Sequence, residues 1–304
     1  MSFRCGAVAL VGKPNVGKST LTNLLVGQKV TIVSNKPQTT RVSIRGIVTT
    51  TDYQVVLVDT PGLHAAHTEL QKLMNKSAAG SLGDVDLVLV VVDASRKPDK
   101  EDETLADMVS KTWKYPYAEE NPGKSGILLC LNKMDRLKAE DVVEHTEAYM
   151  RLFNAEESML TCLTKRLNHH LLLKMIVDRL PEQEALFPED AITDSPMRSI
   201  AAELVREKAL ALTQKEVPHS IGVMVDHWED EPNMTTIHAS IIVEKQGQKA
   251  IIIGRGGSMI KQIGTQARLE IEEMIGRKVN LDLTVKVRPE WRQSARMLHE
   301  LDYL

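Results

Sequence analysis

Aromatic residues are scarce: Phe, Tyr and Trp together make up 4% of the chain. That leaves few flat rings for a nucleic-acid site built mainly on base stacking. Cysteine is almost absent too. Cys5, Cys130 and Cys162 are widely spaced and odd in number. They exclude a disulfide framework or a clustered thiolate metal centre and fit reduced thiols in a reducing compartment. No apolar run approaches the roughly 18 residues needed to span a bilayer, so no transmembrane helix is expected. The N-terminal Met1-Ser-Phe-Arg-Cys-Gly6 enters an apolar run at once and leaves no room for a leader peptide. Internal repeats and low-complexity tracts are missing as well. Net charge is only −3, which argues against a molecule that binds polyanions over its whole surface.

What is present is a chain of 304 residues, 42% hydrophobic and 26% charged, the make-up of a soluble globular protein with two domains. Apolar runs at 7–11, 55–58, 85–92, 127–131 and 159–163 read as strands. Most are continuous rather than alternating, as expected of parallel strands covered on both faces. Residues 42–50 alternate and suit an edge strand. Helical stretches fall between the strands, the last from Leu167 to Leu180 and stopped by Pro181. This pattern predicts a doubly wound α/β domain over residues 1–180.

A charged connector and a helix start follow at 181–204, where Asp194-Ser195-Pro196 offers a capping side chain. Residues 205–304 form a different, α+β pattern. Strands at 236–243 and 279–287 flank a glycine-rich turn and a helix with Ile260, Ile263, Ala267, Ile271 and Ile275 on one face.

The first apolar run leads straight into Gly12-Lys13-Pro14-Asn15-Val16-Gly17-Lys18-Ser19-Thr20. This is the Gly-x-x-x-x-Gly-Lys-Ser phosphate-binding loop in its strand–loop–helix setting. Gly12 and Gly17 are expected to allow the tight turn that aims backbone N–H groups at phosphate oxygens. Lys18 can reach the β- and γ-phosphates and Ser19 can ligate Mg²⁺. The helix from Lys18 to Val26 points its positive end at the same anion, and Gly27 suits its C-terminal cap.

Two further motifs follow strands. Asp59-Thr60-Pro61-Gly62 places a carboxylate where it can hold Mg²⁺ and a glycine N–H where it can sense the γ-phosphate. Asn132-Lys133-Met134-Asp135 carries an acceptor-only carboxylate that suits the N1–H and amine of guanine, whereas adenine would leave it unpaired. The Lys133 stem can cover the base and Asn132 can tie this turn to the phosphate loop. In a doubly wound sheet all three motifs share the carboxyl edge. Together they predict a guanine-nucleotide site for GTP or GDP.

Between the first helix and the edge strand, Pro37-Gln38-Thr39-Thr40-Arg41 offers a threonine for Mg²⁺, Thr40 in preference to Thr39. The last base-contacting loop is expected near Thr161-Cys162-Leu163. The expected reaction is in-line attack of water on the γ-phosphate, with Lys18, Thr40 and Gly62 at the reacting group. No glutamine follows Gly62 to orient that water. Leu63 stands there, which predicts slow intrinsic turnover. His64 and His67 read as residues of a switch segment rather than as a base or metal pair.

Gly254-Arg255-Gly256-Gly257, with Lys261 beyond it, is a Gly-x-x-Gly loop of the kind that lets an RNA backbone approach main-chain N–H groups. From Lys245 onward eleven basic residues face seven acidic ones, a local excess opposite in sign to the whole chain.

Together with Phe187-Pro-Glu-Asp190 and Ala202-Glu-Leu-Val-Arg-Glu-Lys208, these motifs make the chain resemble the bacterial Era GTPase family over almost its full length. The resemblance implies a type II KH domain after the P-loop NTPase domain. It also implies binding of small-subunit (16S) ribosomal RNA near its 3′ end and a role in 30S assembly and rRNA processing. Some peripheral association with the inner face of the cytoplasmic membrane is further implied; a monomer in the cytoplasm is expected beside it. Two departures stand out: Cys162-Leu163 replaces the family's usual Ser-Ala, and Thr284 stands where a tryptophan is usual. An RNA chaperone or scaffold whose hydrolysis is incidental is the alternative. A P-loop metabolic kinase is disfavoured by Asp135.

Overall fold

The computed structural model describes residues 2–34, 36, 39–62, 68–121 and 124–303. The elements of the first part run β1 (Arg4–Val11), α1 (Lys18–Val26), β2 (Ile44–Thr49), β3 (Tyr53–Asp59), α2 (Glu69–Gly80), β4 (Leu87–Asp93), α3 (Lys100–Thr112), β5 (Ile127–Asn132), α4 (Val142–Phe153), β6 (Glu157–Leu160) and α5 (His169–Val177). Then follow α6 (Met197–Leu212), β7 (Gly222–Asp230), β8 (Met234–Val243), α7 (Gln246–Ile253), α8 (Ser258–Ile275), β9 (Lys278–Val287) and α9 (Ala295–Glu300). Two compact units emerge. One is Met1–Thr31, Thr40–Ala65 and Met74–Asp194; the other is Ile32–Thr39, Ala66–Leu73 and Ser195–Leu304.

The first unit holds a six-stranded sheet in the order β2-β3-β1-β4-β5-β6. All neighbours are parallel except β2, which pairs antiparallel with β3 at the edge. The continuous apolar runs are explained by burial on both faces. Val88, Val90 and Val92 point to a cluster with Leu105 and Val109 of α3 and Tyr149 and Phe153 of α4. Leu87, Leu89 and Val91 point the other way, to Leu21 and Leu25 of α1 and Leu172 and Ile176 of α5. Each such side chain withdrawn from water contributes about 1.5–3 kcal/mol. The chain leaves β1 through α1 toward the β2–β3 side and later crosses from β3 through α2 to β4 on the other side of β1, so the strand order reverses at β1 and a ligand crevice opens at its carboxyl end.

The connector beyond α5 is held to this unit by Gln54 of β3. Its side chain is fully buried; its amide accepts from the Leu186 and Phe187 N–H groups and donates to the Phe187 carbonyl at 2.9 Å. The side-chain cap expected from Asp194-Ser195-Pro196 is not what the structure shows. The Asp194 carboxylate pairs with Arg45 at 2.6 Å, and α6 begins after Pro196 without a side-chain cap.

The second unit has a sheet ordered β7-β8-β9, with β8 and β9 parallel and joined through α7 and α8. Ile263, Ala267 and Ile271 of α8 are wholly buried with Ile200, Leu204 and Val205 of α6 against Ile237, Ala239 and Ile241 of β8. Strand β7 has no clear alternation in the sequence because a bulge between Val225 and His227 breaks it. Ile32 also belongs to this core, Arg206 donates to the Thr39 carbonyl and to Glu203, and the Glu207 carboxylate accepts from the Val33 N–H.

Candidate nucleotide and RNA sites

The phosphate loop joins β1 to α1, and two of its glycines are required for different reasons. Gly17 has φ +116°, and a Cβ there would lie 2.4 Å from the Asn132 amide. Gly12 shows no left-handed angle; its constraint is space, since a Cβ would stand 2.3 Å from the Val91 carbonyl of β4. Asn15, at φ +61°, is left-handed as well and helps to curl the loop. Gly62 is also confined, though less tightly: a Cβ would meet the Pro14 ring at 2.9 Å.

The buried Lys18 ammonium donates to the Gly12 carbonyl at 2.8 Å and the Lys13 carbonyl at 3.1 Å. Ser19 Oγ donates to Asp59 Oδ2 at 2.6 Å and lies 3.0 Å from Thr40 Oγ1. Ser19, Thr40 and Asp59, distant in sequence, therefore meet at one point. Thr39 is placed differently: its hydroxyl donates to the Lys36 carbonyl at 2.7 Å. Thr60 Oγ1 donates to the Leu10 carbonyl at 2.7 Å and fixes the strand end before Pro61 and Gly62. Thr20 lies in the first turn of α1.

Burial governs the charges. It lowers the Lys18 ammonium to about 8, against the opposing pull of Asp59. Burial also raises the Asp59 carboxyl to about 6, while Lys18, Ser19 and Thr40 resist the rise. Asp59 Oδ1 is buried with no hydrogen-bond partner. An orphaned carboxylate oxygen beside two hydroxyls is a hard-oxygen set that fits Mg²⁺.

The guanine-reading turn is tied to the phosphate loop by Asn132, whose Nδ2 donates to the Val16 carbonyl at 2.7 Å. Its Oδ1 accepts from the Leu163 N–H at 3.2 Å and from Thr161 Oγ1 at 3.4 Å. Lys133 is left-handed, at φ +63°, and opens the short turn Met134–Arg136 that carries Asp135. In the last loop the Cys162 N–H is bonded to the Leu167 carbonyl. Cys162 instead directs its thiol at Asp135 Oδ1, 3.2 Å away, and Lys165 approaches the other oxygen at 3.7 Å. Chiefly the thiol bond, with help from Lys165, holds the Asp135 carboxyl below its usual range.

Three charged side chains behind these loops were not apparent from motifs. Asp99 and Asp102 at the start of α3 hold the Lys13 ammonium at 2.8 and 2.7 Å. Asp93, at the end of β4, holds that of Lys133 at 2.8 Å. A carboxylate closing a buried apolar strand was the available signal for Asp93, as it is for Asp59. Leu63, His64 and His67, and Gln38, lie outside the described residues.

In the second unit, Gly254, Gly256 and Gly257 all have positive φ, at 73°, 59° and 80°. A Cβ at Gly254 would strike Met259, whereas one at Gly256 or Gly257 would meet nothing within 4 Å. The turn thus opens outward, with Arg255 and Lys261 exposed beside it at the start of α8.

Comparison with known proteins agrees with the order of a GTPase domain followed by a KH domain. Residues 7–133 match the model of a family described as a 50S ribosome-binding GTPase, and residues 216–292 match the KH domain. The GTPase Era of Ruminiclostridium cellulolyticum is 40% identical over 304 residues, covering 100% of this chain and 98% of the relative. That of Lactobacillus delbrueckii subsp. bulgaricus is 44% identical over 301 residues, covering 99% and 96%. The chain belongs to the Era family of GTPases. Two solved Era structures each superpose with a TM-score of 0.90 over 99% of both chains. One, from Aquifex aeolicus and 37% identical, is a variant bound to GDP and AlF4⁻. The other, 38% identical, is in complex with MgGDPNP and nucleotides 1506–1542 of 16S ribosomal RNA. Among the described residues of this Era-family chain, no helix is long and apolar enough to cross a membrane.

Proposed function

We propose that this GTPase binds small-subunit ribosomal RNA near its 3′ end, under the control of GTP and Mg²⁺, and assists 30S assembly and rRNA processing. The observation that carries the nucleotide half is the meeting of Lys18, Ser19, Thr40 and Asp59 at one sheet edge, with Asn132 tying the base-reading turn to it. On this reading Lys18 leaves its loop carbonyls for the β- and γ-phosphates, and the loop N–H groups cradle them. Asp135 takes the guanine donors and Gly62 lets a backbone N–H approach the γ-phosphate. Ser19, Thr40 and Asp59 would hold Mg²⁺, which supplies positive charge to the phosphate oxygens.

The outward glycines of the Gly254–Gly257 turn, with Arg255 and Lys261, support a backbone-binding RNA site. Ile32, the Val33 N–H and the Thr39 carbonyl are held by the RNA-binding unit, and Thr39 immediately precedes Thr40. That adjacency supports a switch in which the state of Thr40 is felt by the RNA unit. The 50S label attaches to a model of residues 7–133 only. The related complex holds 16S RNA, which favours the small subunit. Peripheral membrane association completes the proposal on family resemblance, and a cytoplasmic location on the three unpaired cysteines.

The test is binding of a 3′-terminal 16S fragment to the full chain loaded with GDPNP or with GDP. Tighter binding of this fragment than of a 23S control, and more so with GDPNP, is expected. Equal affinity in all four combinations would overturn the proposal. The second reading, an RNA scaffold with incidental hydrolysis, is favoured by the lack of a glutamine after Gly62. It predicts that a variant that binds but does not cleave GTP supports rRNA maturation while Lys18→Ala does not.

A further inference from the structure

Asp93 closes β4 and stands in register with Asn132 on β5. The strap that follows it is locked on both sides. The Ala94 N–H donates to the Asn132 carbonyl at 2.8 Å, and the Ala94 carbonyl lies 2.8 Å from Nδ1 of the buried His145. Ser95 then closes the turn on Asp93 Oδ1, through its N–H at 3.1 Å and its hydroxyl at 2.6 Å. One oxygen of the carboxylate is thus used locally. The other, Oδ2, accepts from Lys133 Nζ at 2.8 Å, and both side chains are largely withdrawn from solvent.

A four-carbon stem anchored at both ends cannot sample its usual rotamers. At one end Lys133 is set by its left-handed backbone and by the bond of Asn132 to the phosphate loop. At the other it is set by Asp93. The stem is stretched between β5 and β4, behind the turn that carries Asp135.

We propose that Asp93 is a positioning residue for the nucleotide base: by holding the Lys133 ammonium it pre-arranges the Lys133 stem as an apolar wall for the purine ring. The proposal rests on the guanine reading of Asn132–Asp135. Removing that anchor returns rotamer freedom to Lys133, freedom that binding must then take away again. The carboxylate is well suited to the task. Burial raises its proton affinity, but the bond from Lys133 and then those from Ser95 outweigh it, and the group stays ionised well below neutral pH.

The wall is blind to the base's hydrogen-bonding edge, and this separates Asp93 from Asp135. Asp93→Asn should weaken GDP and inosine diphosphate by the same factor, about tenfold, the scale of one charge-assisted hydrogen bond. It should act through faster dissociation, with turnover at saturating GTP unchanged. The decisive measurement is a double-mutant cycle with Lys133→Ala, read by nucleotide dissociation constants and by the melting temperature of the nucleotide-free protein. Asp93→Asn should have no further effect on affinity once Lys133 is alanine, and Ser95→Ala should leave affinity near wild type.

Additive losses from Asp93→Asn and Lys133→Ala would overturn the proposal, as would unchanged or tighter GDP binding by a folded Asp93→Asn protein. An equal loss from Ser95→Ala would also overturn it, by assigning the effect to the turn. Asp135→Asn serves as the separate arm. If it fails to shift preference from guanosine to xanthosine diphosphate, the guanine reading itself falls, whatever Asp93 does.

Discussion

Asn132 Nδ2 donates to the Val16 carbonyl at 2.7 Å, so the base-reading turn and the phosphate loop are one mechanical piece. The same side chain accepts from Leu163 and Thr161 and is almost wholly buried. Asn132→Ala would orphan a carbonyl and an N–H in a dry place, a cost of about 1–3 kcal/mol. The expected result is a lower melting temperature for the free protein and weaker binding of GDP and GTP alike. A variant with wild-type melting and affinity would show the tie to be dispensable.

The Asp135 carboxylate faces donors, the Cys162 thiol and the Lys165 ammonium. Asp135→Asn keeps the shape but replaces one acceptor with an NH₂ donor. It should lower GDP affinity on the order of 100-fold and bring xanthosine diphosphate above it, because xanthine offers a carbonyl where guanine offers an amine. Competition binding with the two diphosphates decides the matter.

The site's two buried charges predict a specific pH behaviour. In the free protein Lys18 loses its proton near 8, whereas an unfolded lysine keeps it to 10.5. The unfolded state therefore binds more protons between those values, and this group's contribution to stability rises with pH across them. Asp59 is the reverse case. Folded, it holds its proton to about 6 against 3.8 for an unfolded carboxyl, so its contribution falls as pH rises from 3.8 to 6. Phosphate should restore the Lys18 proton. Nucleotide binding above pH 8 should then take up a proton and weaken as pH rises. Calorimetry at pH 8.5 in two buffers of different ionisation enthalpy checks this uptake; no buffer dependence would contradict it. Below about pH 6, protonation of Asp59 should weaken the dependence of binding on Mg²⁺.

Arg255 and Lys261 flank glycines whose missing side chains leave open space. Arg255→Ala and Lys261→Ala should each weaken RNA binding and reduce the slope of log affinity against log salt by about one per lost phosphate contact. GDP affinity should not change. Filter binding across a salt series reads the slope, and an unaltered slope in both variants would remove them from the RNA surface.

Much of the fold was legible because its strands are buried on both faces. Residues 85–92 could be read as a parallel strand from their unbroken apolar run alone, and 260–275 as a helix from the spacing of Ile263, Ala267 and Ile271. Strand β7 was not legible, since its bulge breaks the alternation and its end is charged. Helix α7 was hidden for another reason. It is only 8 residues long and starts where Gln248 reaches back to the Glu244 and Lys245 N–H groups, a local bond with no periodic signal. Asp194-Ser195-Pro196 misled because polar side chains before a proline look like a cap, whereas the Asp194 carboxylate goes to a distant arginine, Arg45, and α6 starts without a side-chain cap.

By itself the sequence determined the chemical class of ligand. Gly12–Ser19, Asp59–Gly62 and Asn132–Asp135 are short segments whose covalent spacing already dictates how N–H groups, hydroxyls and carboxylates are presented. Only the tertiary structure decided which groups meet. Ser19 and Thr40 are 21 residues apart, and Asp93 and Lys133 are 40 apart. No local pattern links such pairs. They come together because parallel pairing of β1, β3, β4 and β5 brings their carboxyl ends to one edge, and antiparallel β2, which follows Thr40, starts at that same edge with Ile44 opposite Asp59; buried charges gathered there must find partners or remain unpaired.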